Sequence, residues 1–397
     1  MQPFAANNTP MLASDRGVLP DSDRQPDIRA IALYLPQFHP IPENDQWWGA
    51  GFTEWTNTAK ARPLFKGHYQ PHIPGELGYY DLRLAETREA QARLASEYGI
   101  EAFCYYHYWF GGKQLLERPF AEVLRDGQPS LAFCLCWANE TWTGIWHGAP
   151  GRILIEQIYP GEDDHRRHFE ALLPAFLDQR YLRVNGKPLF KIYQPTLLPD
   201  PLRTTELWRE LASRAGLPGL YLVCVTREPT VDPKVLGFDA AMWTQLRPRY
   251  HPRPPPLSFK VKHEIARTLH RAGRPMILPY AEVADTLISP PVPGIVNHPC
   301  VIPNWDNSPR SGRRGTIFHG STPDLFRAHV KRAAELIRSQ PDQDLLLFIK
   351  SWNEWAEGNH LEPDRRWGRA YLEAFRDGIS APGTSRAPRP YARAATT

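Results

Sequence analysis

Eight short runs of β-branched and aromatic residues alternate with longer amphipathic stretches, and this rhythm constrains the fold more than any single motif does. The runs cover residues 30–38, 102–109, 131–138, 188–193, 220–226, 240–246, 301–305 and 345–352. Helical periodicity occupies 82–98, 114–125, 163–179, 201–215, 259–272, 323–339 and 365–378. The runs are apolar almost throughout rather than at every second position, as parallel strands covered on both faces must be. The pattern predicts an α/β chain folded as a single (β/α)8 TIM barrel with long loops on its C-terminal face. A doubly wound sheet is the competing architecture, but the first run leads into LPQFHPIPEN rather than a glycine-rich phosphate loop.

At 397 residues the chain has room for two average domains or one large barrel. The barrel reading assigns 28–379 to one catalytic domain. The polar stretch 1–27 and the low-complexity stretch 380–397 are expected to be disordered tails. The proline-dense segment 247–257 (RPRYHPRPPPL) reads as a stiff extended loop edging a cleft, with an interdomain linker as the bland alternative.

Forty-seven basic residues against 43 acidic leave a net charge of +4, too small and too dispersed for a nucleic-acid partner to be expected. No window approaches the roughly 18 apolar residues of a membrane span, and the start lacks a signal-peptide pattern. Cys104, Cys134, Cys136, Cys224 and Cys300 are odd in number, and the first four lie in apolar runs as small buried thiols would. Together these features predict a soluble, cytoplasmic protein. Arg386, Arg389 and Arg393 make the C-terminus locally basic, a weak signal for contact with a membrane surface.

The chemistry concentrates in SWNEWAEGNHLEPD, residues 351–364, directly after the last apolar run. The C-terminal ends of barrel strands are where barrel enzymes keep catalytic groups, and Glu354 and Glu357 stand there. Cleavage of a glycosidic bond needs one carboxyl group that holds a proton and one that does not. A spacing of three puts both on one side of a turn but on opposite faces of a strand, so the strand must end by about Asn353. Chance pairs at this spacing are common on helix surfaces; the flanking Trp352, Asn353 and Trp355 are what favour a sugar site.

Tryptophan recurs beside acids and amides, in GFTEW, CWANETW, NWDN and SWNEW, which suits a cleft that stacks the C–H face of a sugar and hydrogen-bonds its edge. Core filling is the alternative for each Trp individually. The expected substrate-binding residues are Glu54, Trp55, His107, Trp137, Asn139, Glu140, Tyr193, Trp305, Asp306, Asn353 and Trp355, with His39 a further strand-end histidine. A structural network at the barrel mouth is the competing reading for the acids. No HExxH, paired CxxC, GxSxG or Walker pattern occurs, so neither metal nor cofactor is expected. Asp342 and Asp344 form an Asp-x-Asp pair, but they precede the eighth strand and read as a solvated turn.

The segments YLPQFHPIPENDQWWGAGFTEWTN (34–57), GHYQPHIPGELGYYD (67–81), CWANETW (136–142) and SWNEWAEG (351–358) resemble the WbsX-like proteins, relatives of family 99 glycoside hydrolases. The similarity runs over roughly 28–378. It implies a (β/α)8 barrel and retaining chemistry on α-linked mannose-configured or rhamnose-type residues of a bacterial surface polysaccharide, either by hydrolysis or by transglycosylation. It also implies roles: Glu354 as the base toward the sugar 2-hydroxyl, Glu357 as the general acid/base. Where the endomannosidase motif carries a His between Trp and the second Glu, this chain has Ala356. The alternative that the family's gene neighbourhoods suggest is a nucleotide-sugar-dependent glycosyltransferase of O-antigen or capsule biosynthesis; a carbohydrate-binding barrel without catalysis is a third.

Overall fold

A computed structural model describes residues 28–144, 149–244, 246, 257–340 and 344–380. Nine parallel strands follow one another in hydrogen-bonded order. The two at the ends of that path, Asn297–His298 and Cys300–Val301, are halves of one run split by Pro299. Proline has no N–H to give to a ladder, so the run breaks there, while its carbonyl still accepts from Phe348 N–H at 3.0 Å. Counting the halves once closes a ring of eight: β1 Arg29–Tyr34, β2 Ile100–Phe110, β3 Ala132–Trp137, β4 Lys187–Ile192, β5 Tyr221–Thr226, β6 Ala240–Trp243, β7 at 297–301 and β8 Leu346–Ile349. The expected TIM barrel is the observed fold.

Helices Ala85–Glu97, Arg118–Asp126, Glu162–Leu177, Pro201–Arg214, Leu257–Arg271, Pro323–Arg338 and Ala370–Ile379 match the expected amphipathic stretches. The strands are buried on both sides; β5, β6 and β8 contain no exposed residue. All five cysteines are buried and unpaired. Among the described residues no helix is long and apolar enough to cross a membrane.

The departures from expectation lie in the loops. β7 runs from 297 to 301 instead of 301–305, because Pro299 and Pro303 limit pairing; Trp305 falls in the following loop, where its carbonyl accepts from Phe318 N–H. Residues Lys113–Leu115 fold back on β2 as an antiparallel strand rather than starting a helix. Glu54 opens the short helix Glu54–Lys60, outside the eight strands. A small parallel pair, Met276–Pro279 with Thr316–His319, builds an accessory lobe whose own apolar cluster includes Ala266, Tyr280, Trp305 and Phe318. The stretches expected to be tails (1–27 and 381–397), the core of the proline-rich segment (247–256), and Asp342 lie outside the described residues.

Candidate active site

Beyond β8 the chain turns sharply. Asn353–Glu354 pairs antiparallel with Asn359–His360, and Trp355–Glu357 makes a single 3-10 turn between them. Gly358 closes this turn at φ +58°, and a Cβ there would come within 3.0 Å of Asp306 Cβ, so both conformation and space call for glycine. The Asn353 side chain ties the turn to the end of β1, accepting from Leu35 N–H at 2.7 Å and donating to Leu35 O at 3.0 Å. Glu354 and Glu357 are thereby held on one side of a buried loop at the C-terminal mouth.

Two cations face them. Arg310, on the short helix Ser308–Ser311, donates from Nη1 to Glu357 Oε1 at 2.6 Å, from Nη2 to Glu354 Oε2 at 3.3 Å and from Nε to Glu54 Oε1 at 2.8 Å. Lys350 Nζ lies 3.4 Å from Glu354 Oε1 and 3.4 Å from Glu357 Oε2. Buried ions need such partners, because desolvation otherwise outweighs any single attraction. Burial pushes the Glu354 carboxyl up, but the charges of Lys350 and Arg310 more than offset this and hold it below its ordinary value. At Glu357, burial and the adjacent Glu354 prevail over the same two cations and raise it to about 7.

Aromatic groups line the pair. Tyr106 accepts from Lys350 Nζ at 3.4 Å, and Lys350 sits over the Trp305 ring at 5.4 Å. Tyr108, two residues along β2 from Tyr106, shares its face of the strand and feels the charge of Glu354. The Tyr193 ring meets Tyr106 edge-on at 6.4 Å. Glu140, after β3, accepts from Gln194 Nε2 at 2.6 Å beside Tyr193. Asp306 N–H donates to the Glu357 carbonyl at 2.6 Å, while its carboxylate accepts from His68 and Gln70 at 2.7 Å each.

The structure thus gathers Glu54, Tyr193, Trp305, Asp306 and, at the rim, Glu140 around the glutamate pair. It does not bring the other expected binding residues there. His107 lies on the opposite face of β2 from Tyr106, with Nε2 2.8 Å from His168 Nε2 on a covering helix. Trp137 packs on Trp208 and His168 and donates to Trp109 O. Asn139 fastens two loops through Tyr159 OH and Gln194. Trp55 packs among Phe38, Tyr80 and Trp355, and Trp355 stacks on His360 and donates to Glu362. Asn353 is the clamp described above, and His39 is held by Pro36 O.

Arg310, Lys350 and Tyr106 were missed by the sequence reading. A period of two along 100–110 points to Tyr106 and Tyr108 rather than His107, and Lys350 is a lone charge closing an apolar run, four and seven residues before the two glutamates. Nothing local distinguishes Arg310 from Arg313 and Arg314.

A pocket of about 240 Å³ opens beside the cluster and shares Asp306 and Gly358 with it; His68, Tyr69, Arg366 and Trp367 are among its walls. At its edge His72, His360 and Asp364 bring donor atoms within 4.8 Å of one another, the group among the described residues that could hold a divalent metal. Its hydrogen bonds already close without an ion. His360 Nδ1 donates to Glu362 O, so its Nε2 accepts from His72 Nδ1 at 2.8 Å. Asp364 accepts from Tyr69 OH and from the N–H groups of Arg366 and Trp367.

A protein-family model described as glycosyltransferase WbsX matches residues 30–375. The uncharacterized protein WxcX of Xanthomonas campestris pv. campestris, in each of two strains, is 40% identical over 352 residues, which is 88% of this chain and 49% of that protein. The chain therefore spans about half the length of these relatives. Among solved structures, a glycoside hydrolase-like protein superposes with a TM-score of 0.54 at 15% identity, over 89% of this chain and 94% of that one. An endo-α-mannosidase of glycoside hydrolase family 99 from Bacteroides thetaiotaomicron gives 0.50 at 15% identity, over 88% and 95%. At such identities the likeness is one of fold.

Proposed function

The chain belongs to the WbsX family, and from that premise we propose that it is a glycosidase acting with retention on α-linked mannose-configured or rhamnose-type residues of a bacterial surface polysaccharide. The observation that carries this reading is the pair of buried carboxyls that Arg310 and Lys350 both contact at the barrel mouth, in surroundings that raise Glu357 to about 7 and hold Glu354 low. Two titratable groups pushed apart by their surroundings are how one site performs acid and base chemistry at one pH.

In the proposed reaction Glu357 gives its proton to the glycosidic oxygen as the C1–O bond breaks. Glu354 removes the proton of the sugar 2-hydroxyl, and that oxygen bonds to C1 to form a 1,2-anhydro sugar. Water then attacks C1, losing a proton to Glu357, while the oxygen on C2 regains its proton from Glu354. Two displacements at C1 return the original configuration, and a sugar hydroxyl in place of water gives transglycosylation. Oxygens of both carboxyls lie 3.4 Å from a single ammonium nitrogen, which supports both groups reaching one sugar ring. Tyr106, Tyr193, Trp305 and Glu54 would bound the sugar. Arg310 and Lys350 would tune the carboxyls.

The second reading, a sugar-nucleotide-dependent glycosyltransferase, is favoured by the family's description. Proton NMR of the first anomer released from an α-mannoside or α-rhamnoside, without any nucleotide, separates the two. Retained configuration supports the glycosidase; no turnover unless a sugar nucleotide is added, together with stabilisation by that nucleotide, supports the transferase.

A further inference from the structure

We propose that the helix Leu257–Arg271 docks this protein onto an anionic membrane surface. Leu257, Val261, Ile265 and Leu269 are 77%, 51%, 55% and 41% exposed. They recur every fourth residue, which at 3.6 residues per turn confines them to an arc of about 120°. Ala266, about 120° round the helix from the middle of that arc, is buried in the apolar cluster of the accessory lobe. The face turned to solvent thus carries all four of these apolar side chains, with only the small polar Ser258 and Thr268 among them. Scattered exposed leucines need no explanation; a continuous stripe of four does.

Charge identifies the occupant. Helical geometry puts Lys260, Arg267 and Arg271 along one flank of the stripe and Lys262 along the other, all exposed, with Glu264 the lone acid of the helix. Arg267 and Lys262 reach Glu264 and Glu282 respectively, and both stay at the surface. An apolar stripe bordered on both sides by Lys and Arg is the pattern of helices that lie in a bilayer interface, apolar face among acyl chains and cations among lipid phosphates. A second copy of the chain would set this basic border against itself. The lobe carrying the helix also supplies Ile317, Phe318 and His319 to the pocket beside the glutamate pair, so docking would hold that pocket near the lipid surface, where glycans attached to lipids are found. The docking does not depend on which reaction the site performs.

Flotation with phosphatidylcholine vesicles, with and without phosphatidylglycerol, tests this on the whole chain. The wild type should float with the anionic vesicles, remain unbound with the neutral ones and be released by high salt. Val261→Gln with Ile265→Gln should cut binding by at least about tenfold, as should Lys260→Glu with Arg267→Glu. Thermal unfolding near the wild-type temperature would show that these variants are folded. Absence of wild-type flotation, or flotation that both variants retain, overturns the proposal. So does a wild-type dimer in solution that the Gln variant dissociates, because a second copy then covers the stripe.

Discussion

Arg310 Nη1 stands 2.6 Å from Glu357 Oε1, yet Glu357 is the carboxyl of the cluster raised to about 7. A guanidinium at that distance favours the carboxylate. It is outweighed because Glu357 is buried and because Glu354, which shares Arg310 and Lys350 with it, keeps the negative charge. The two glutamates behave as one unit in which ionising the first makes ionising the second costly.

The pH profile of kcat/KM should follow from this. Glu357 must hold a proton to act as the acid, so the rate should fall as pH rises through about 7. Glu354 must be ionised, and its depressed value places the acidic limb below the ordinary carboxylate range of about 4.3. Initial rates from pH 3 to 9 would give the limbs; a rate still climbing above pH 8 would contradict the assignment.

Lys350 lowers both carboxyls. In Lys350→Met both limbs of the profile should therefore move to higher pH, and the rate at pH 8, relative to the variant's own maximum, should rise because Glu357 keeps its proton to higher pH. Limbs that stay in place would mean that Lys350 is screened from the pair.

Neighbouring residues on opposite faces of β2 should behave differently. Tyr106→Phe removes a hydroxyl 3.4 Å from Lys350 and should lower kcat/KM by about tenfold, the worth of one hydrogen bond to a charged group, with little change in melting temperature. His107→Phe breaks the contact with His168 and should lower stability while leaving kcat/KM within about twofold. Paired kinetic and thermal measurements would show whether the two effects separate.

Glu362 links pH to stability. Burial raises its carboxyl to about 7, with Tyr80, Gln91 and Trp355 donating to it at 2.6–2.8 Å. The folded state then binds a proton that the unfolded state has released above about pH 4.5, so this group's contribution is fully present below that pH and is lost as pH rises through about 7. The stability of the wild type relative to Glu362→Gln should therefore decline from pH 4.5 to 7.5 in denaturant titrations. A flat difference would show that Glu362 stays ionised.

The barrel was readable because near-continuous apolar runs such as 131–138 and 345–352 have few other places to go than a sheet covered on both sides. The glutamate pair was readable because its acids lie three residues apart just past the last such run. Six of the expected sugar contacts, Trp55, His107, Trp137, Asn139, Asn353 and Trp355, have protein partners beside or away from the pair, because position along the chain does not say which way a side chain turns. Consecutive residues at a strand end point alternately into the mouth and into the surrounding helices, as Tyr106 and His107 do, while Trp55 lies on a short helix and Trp355 in a 3-10 turn. Arg310 was hidden for a different reason. It arrives from a short helix 44 residues before Glu354, and only the closed ring of strands brings the two together.

In the proposed reaction Glu354 and Glu357 together cleave a glycosidic bond. The most direct measurement is release of reducing ends from α-mannosyl and α-rhamnosyl oligosaccharides, without nucleotide sugar, by the wild type, Glu354→Gln and Glu357→Gln. The wild type should turn over substrate, and each variant should lose about 100-fold or more. Turnover that survives in both folded variants would contradict it, and so would a wild type inactive on the whole panel that transfers sugar once a sugar nucleotide is supplied.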